Sequence, residues 1–445
     1  MKGYVALPPQ KGGHDGTSPR QRVLRRHVLT RLSFIMLFSG LLALLNHTHW
    51  RRQSDSSAAD QAFGPLQFQS DGTFQIAIFE DLHFGEESWT TWGPQQDLTT
   101  VKVMNKVLDA EPTVNLVVLN GDLITGENVF LENGTNYIDQ IVAPLFSRNL
   151  TWASTYGNHD SNYNLSRSAL LAREQRWPNA RTTQMVTNSS AGVSNYYLPV
   201  YPASCTAPPC VPALLLWFFD SRGGHLYQQR DPATGDFVGQ PDWVDESVVS
   251  WFTATNAALV DAAGGTPIPA LAFVHIPTNA SLAAQEQGID PHREPGIDDD
   301  VPVAQQAQGW CPDGADNGTC AYGGQDGPFM EAVAGTEGLI GVFSGHDHGN
   351  TWCYRWEGKL PGMEVEGKGV NLCFGQHSGY GGYGHWIRGA RQVVVSRDDD
   401  GEMIVETFVR LESGDVVGAV TLNSTYGRDE YPATPNDKTK CPTCN

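Results

Sequence analysis

Positive charge is scarce in this 445-residue chain once its first 52 residues are set aside. Those residues hold nine of the 29 Lys and Arg but one of the 49 acids, Asp15, so the remainder carries 20 basic against 48 acidic side chains. A body so acidic repels nucleic-acid backbones, which argues against DNA or RNA as the main partner; plain solubility accounts for the charge. The apolar stretch from Leu32 to Leu45 has fourteen residues, short of the roughly 20 that a bilayer span needs. Neither a phosphate-cradling GxxxxGK[ST] nor a GxSxG nucleophile motif occurs, and no internal repeat is found. Hydrophobic residues at 40% and aromatics at 10% exclude a disordered chain and suffice for a sizeable core.

The start of the chain is a targeting segment. Arg20, Arg22, Arg25, Arg26 and Arg31 lie within a basic stretch, 1–31, ahead of the apolar stretch 32–45. That order fits a signal peptide behind a long basic leader, or an uncleaved type II anchor with a cytoplasmic basic tail. No clean small-x-small cleavage site follows directly, since Asn46, His47 and the bulky Trp50 come next. Either way the body leaves the cytosol, for the secretory lumen or the outside, and it touches a membrane through 32–45 if the segment is uncleaved.

Two features agree. The eight cysteines, Cys205, Cys210, Cys311, Cys320, Cys353, Cys373, Cys441 and Cys444, all follow residue 200 and fall into local pairs, as disulfides of an oxidising compartment would. Eight Asn-x-Ser/Thr sequons stand at Asn46, Asn133, Asn149, Asn164, Asn188, Asn279, Asn317 and Asn423. Zinc or redox use of the CxxC at Cys441 and Cys444 has little support, because it sits alone in a polar tail.

Residues 46–72 are polar and read as a linker, 73–426 as one catalytic-sized domain, and 427–445 as a polar tail. Within the domain, apolar runs at 74–81, 115–122, 151–156, 213–220, 270–276 and 339–344 read as strands. Between the first two, Val101, Met104, Val107 and Leu108 predict a helix over 98–110, with Thr99 and Thr100 as caps. Runs at 391–397 and 403–411 read as closing strands. The alternation predicts α/β layering.

The chemistry lies where those runs end. Asp81 and His83 follow the first, Asp122 the second, Asn158, His159 and Asp160 the third; His275 ends a fourth, and His346 and His348 follow a fifth. In open α/β sheets, ligands bind beyond the carboxyl ends of the strands, so these clusters should meet in one crevice. Each alone has a bland reading: a turn, or a buried histidine satisfied by the core. His346 and His348, two apart on an extended segment, suit a metal better than a core. The ordered set leaves little room for coincidence.

The series D-x-H, GD, GNHD, H, GHDH resembles the calcineurin-like metallophosphoesterase superfamily over residues 75–350. It is most similar to the purple-acid-phosphatase-related branch of plants and fungi, where GHDH is followed by a Cys and a Gly/Tyr/His-rich segment, here Cys353 and 375–385. The resemblance covers about 70% of the chain and implies a β-sandwich flanked by helices, in α/β/β/α layers. It also implies two divalent or mixed-valence ions. Asp81, His83 and His348 would hold one, Asn158, His275 and His346 the other, and Asp122 both. Oxygen and imidazole donors suit Fe, Mn or Zn. Two such ions acidify a shared water, whose hydroxide attacks phosphorus in line. His159 would assist the leaving oxygen and Asp160 would orient that imidazole.

One position departs from the pattern. Purple acid phosphatases proper carry an iron-bound tyrosinate three residues after the bridging Asp, and here that residue is Thr125. The protein is therefore expected not to be purple. The long segment from His275 to His346, with Asp298–Asp300 and the pair Cys311/Cys320, is either a braced cap over the site or a surface insert. Trp89 and Trp92 would shape the rim, and 380–385 would line the pocket or pack tightly. The expected activity is phosphomonoester hydrolysis on phosphorylated small molecules or phosphoproteins. A sphingomyelinase-like phosphodiesterase and a non-catalytic membrane glycoprotein are the alternatives.

Overall fold

A computed structural model describes residues 63–206, 210–304, 322–398 and 401–439. The leader, the apolar stretch 32–45, most of the linker, the pairs Cys311/Cys320 and Cys441/Cys444, and the sequons at Asn46 and Asn317 lie outside them. Among the described residues no helix is long and apolar enough to cross a membrane.

The chain runs β1 (Leu66–Gln67), β2 (Phe74–Phe79), α1 (Gly93–Ala110), β3 (Leu116–Asn120), α2 (Tyr137–Ser147), β4 (Trp152–Thr155), α3 (Arg167–Glu174), β5 (Tyr196–Tyr201) and β6 (Leu214–Phe219). A hairpin of β7 (His225–Arg230) and β8 (Phe237–Gly239) precedes α4 (Glu246–Ala262), β9 (Ala270–Val274), α5 (Asn279–Gln287), α6 (Gly327–Gly335) and β10 (Leu339–Ser344). The chain closes with β11 (Cys353–Lys359), β12 (Glu366–Phe374), β13 (Gly389–Arg397), β14 (Met403–Leu411) and β15 (Val416–Leu422). One sheet has the order β15-β14-β13-β2-β3-β4, the other β1-β5-β6-β9-β10-β12-β11.

Strand periodicity builds the layers. On β2, Phe74, Ile76 and Ile78 join Leu216, Phe218, Phe273 and Phe343 of the second sheet in one core between the sheets. Ala77 and Phe79 face the other way, onto Met104 and Val107 of α1 and Ile138 and Ile141 of α2. The second sheet does the same with Trp217 and Phe219 against Val248 and Phe252 of α4 and Phe329 of α6. Since successive side chains alternate faces, strands buried on both sides read as continuous apolar runs. The fold is an α/β/β/α sandwich.

Some expectations shift. The helix starts at Gly93 with Pro94 in its first turn, not at Thr99 and Thr100, whose hydroxyls instead donate to the carbonyls of Gln95 and Gln96 inside it. The end of the linker contributes an edge strand, β1, which pairs with β5. The polar tail returns to the body: Asp437 accepts from the Ile387 backbone, and Lys438 meets Asp299 at 2.6 Å. Of the cysteine pairs, Cys205–Cys210 and Cys353–Cys373 form disulfides, the second between Cα partners of β11 and β12.

Candidate metal centre

Five strands end on the same crevice. The parallel strands β2, β3 and β4 deliver Asp81 and His83, Asp122, and Asn158; β9 and β10 of the other sheet deliver His275, and His346 with His348. Turning these side chains inward bends the backbone hard. Asp81, His83, Asp122 and His346 have φ of 52°, 49°, 48° and 73°. L-residues enter that region at a cost of order 1–3 kcal/mol each, and a structure keeps such conformations where function depends on them.

Asp81, His83 and His348 form one group whose ligand atoms lie within 4.8 Å of one another, and Asp122, His275 and His346 form a second. The groups interlock. His275 Nε2 lies 2.9 Å from Asp122 Oδ2 and 3.8 Å from Asp81 Oδ1. His83 Nε2 lies 3.3 Å from His348 Nε2 and 3.9 Å from Asp122 Oδ2. Asn158 lines the same cleft as His346.

The donors fit a pair of cations. His275 Nε2 and Asn158 Oδ1 are buried without a hydrogen bond, although such atoms are normally satisfied. His275 Nε2 lies near the Asp122 oxygen without forming a hydrogen bond to it. The outer nitrogens are anchored: His275 Nδ1 on the Asn120 carbonyl at 2.8 Å, His348 Nδ1 on the Tyr383 carbonyl at 2.8 Å, His83 Nδ1 beside the Thr125 hydroxyl at 3.2 Å. That is how proteins fix the tautomer of metal-binding imidazoles. Thr125, which occupies the tyrosine position of purple enzymes, thus braces His83.

Charge is concentrated here. Burial raises the Asp122 carboxyl, but the imidazoles of His275 and His159 outweigh it and hold it well below the usual range. For His275 the desolvation of burial is overcome by the Asp122 and Asp81 carboxylates, which push it up to about 10. Burial, with His275 beside it, pulls His346 down to about 4. Two buried carboxylates demand positive charge, and the imidazoles compete to supply it.

The glycine- and tyrosine-rich segment closes the first group. Gly382, at φ 72°, lies so close that a Cβ would meet His348 Cε1 at 2.5 Å and His83 Cδ2 at 2.7 Å. Tyr383 stacks on His348 with ring centroids 4.0 Å apart, and its hydroxyl donates to Asp300. Asp299 accepts from Trp386 Nε1 at 2.7 Å. The acids of the long insert therefore hold the loop that packs on the site. Trp89 is exposed and packs edge-on against Phe130, neither of them lining the cleft beside His159, and Trp92 caps α1 through its backbone.

His159 and Asp160 part company. The His159 ring stands 4.9 Å from that of His83, and its backbone N–H donates to Asp122 Oδ1 at 2.8 Å. Its Nδ1 meets Glu127 Oε1 at 2.6 Å. Asp160, expected to orient this imidazole, accepts instead from the backbones of Gly157, Leu123 and Ile124 and so fixes the loops that carry Asp122 and Asn158. Glu127 escaped the sequence reading because it belongs to no motif; it stands five residues after Asp122. Beyond His159 opens a cleft of ≈ 380 Å³ bordered by Glu127, Asn162, His225, Gln240 and Asp242.

Comparison with known proteins gives the family. Residues 74–350 match the family described as Calcineurin-like phosphoesterase. A protein of Arabidopsis thaliana named Probable inactive purple acid phosphatase 29 is 29% identical over 74% of this chain and 78% of its own. Phosphatase DCR2 of Saccharomyces cerevisiae is 29% identical over 48% of this chain and 36% of its own. Among solved structures, a dimetal phosphatase from Danio rerio aligns with 79% of this chain and 99% of its own, at 14% identity and a TM-score of 0.48.

Proposed function

The chain belongs to the calcineurin-like phosphoesterase family, and from that premise we propose that it hydrolyses phosphate monoesters, carried by small molecules or phosphoproteins, with the help of two metal ions. In this reading Asp81, His83 and His348 would hold one ion, Asn158, His275 and His346 the other, and Asp122 would reach both. Mixed oxygen and imidazole donors favour Fe, Mn or Zn. When bound, such ions make hydroxide available near neutral pH and offset the charge that builds on a phosphoryl group.

The chain's own groups do the rest. His159 gives a proton to the departing ester oxygen. Its backbone N–H donates to Asp122 Oδ1, which ties the acid to the carboxylate beside it. The observation that most supports the reading is the interlocking of the two ligand groups around Asp81 and Asp122.

The test joins elemental analysis of the purified body to turnover of p-nitrophenyl phosphate and its bis-ester. Asp122→Asn and His346→Ala are each expected to abolish turnover in a folded protein, and His159→Ala to retain metal while kcat falls roughly 10²–10⁴-fold. Near-normal activity in the Asp122 variant would sink the mechanism. Preference for the bis-ester would move the assignment to a phosphodiesterase.

One observation favours a non-catalytic role: the Arabidopsis relative is named as probably inactive. Against it, every expected ligand is present here, and two of them, His275 through Nε2 and Asn158 through Oδ1, bury an unpaired atom that costs stability unless something binds it. A secretory or extracellular location is part of the proposal, supported by the two disulfides.

A further inference from the structure

We propose that Glu127 is the positioning residue of His159, a role that rests on the phosphomonoesterase reading above. Glu127 lies in the turn Gly126–Asn128, which packs against the turn Asn158–Asp160. Gly126 allows this approach, since a Cβ there would run into the His159 carbonyl. The Glu127 carboxylate then reaches His159 Nδ1 at 2.6 Å. With Nδ1–H donated to Glu127, Nε2 is the nitrogen left for the substrate. The His159 ring is also held edge-on to His83 at 4.9 Å. Carboxylate, imidazole and leaving group thus form a relay of fixed orientation, the logic by which a carboxylate keeps a catalytic histidine in its working tautomer.

The step balances simply. As a water-derived oxygen bonds to phosphorus, the ester P–O bond breaks and its electron pair stays on the departing oxygen. That oxygen takes the proton from His159 Nε2, while Nδ1–H remains with the ring and Glu127. The side chains of this pair are 33% and 40% exposed, and ion pairs that open to water contribute little to folding. A stabilising role alone therefore gives Glu127 no reason to matter to turnover.

The experiment compares Glu127→Ala and Glu127→Gln with the wild type, all metal-loaded, on p-nitrophenyl phosphate and on glycerol phosphate. The poorer alkoxide leaving group needs the proton more. In Glu127→Ala, kcat on glycerol phosphate should fall about 10–100-fold, and on p-nitrophenyl phosphate far less. Metal content and Tm should stay at wild-type values. Glu127→Gln, whose amide oxygen still accepts from Nδ1–H, should recover part of the loss. By NMR, a downfield Nδ1 proton of His159 should appear in the wild type and vanish in Glu127→Ala. Equal losses on both substrates, unchanged rates, or loss of metal in Glu127→Ala would overturn the assignment. A wild type inert on both substrates would remove the monoesterase reading itself; the Nδ1 resonance then judges the contact separately, and its absence refutes it.

Discussion

A methyl group on Gly382 would press on His348 and His83 together, at 2.5 and 2.7 Å, from a backbone already at φ 72°. Both effects act on one ligand group. Gly382→Ala is expected to cost about 1–3 kcal/mol of strain and to weaken metal retention about 10–100-fold. A competition titration with a chelator reads the second effect, and unchanged retention would show that the loop yields freely. The candidate ligands were legible one residue at a time, because Asp81, Asp122, Asn158, His275 and His346 each follow a recognisable apolar run. Glu127 and Asn120 were not, and Tyr383 was only as part of the segment 380–385. Their roles come from distances across space, 2.6 Å to His159, 2.8 Å to His275 and 2.8 Å to His348, which no spacing along the chain encodes.

Strand β4 carries the turn that presents Asn158, and a buried carboxylate on α3 ties it in place. Glu174 accepts from Trp152 Nε1 at 3.0 Å, Ser154 Oγ at 2.7 Å, Tyr156 OH at 2.7 Å and Thr182 Oγ1 at 2.6 Å. Burial raises its pKa despite those four donors. Glu174→Ala would strand all four in the core, a loss of roughly 3–5 kcal/mol. Glu174→Gln should lose less. Denaturant melts decide this, and a shift under about 1 kcal/mol in the alanine variant would mean that water replaces the carboxylate. At this scale the buried strands were easy to read, since 74–81 and 339–344 are apolar on both faces. The helix start was not: Thr99 and Thr100 look like caps, yet Pro94 starts α1 a turn and a half earlier. The exposed hairpin β7–β8 left no apolar trace, because it buries little.

The molecule as a whole is two sheets with a shared charge problem. The six-stranded sheet contributes Asp81, His83, Asp122 and Asn158, and the seven-stranded sheet His275, His346 and His348. Strand alternation made the layers legible, but the pairing of the sheets face to face was not in the pattern; it came with the resemblance. A cation bound by both sets is a cross-link between the sheets, beside the apolar core that already joins them. Binding to the folded state alone stabilises it by about 2.7 kcal/mol for each site at a hundredfold excess over Kd. Stripping both ions should therefore lower Tm by roughly 5–10 °C, in a single transition because neither sheet can let go alone. Asp122→Asn, which removes the carboxylate proposed to reach both ions, should melt near the chelated wild type and respond little to chelator. Separate transitions for the two sheets, or a variant as sensitive to chelator as the wild type, would show that the cations do not bridge them.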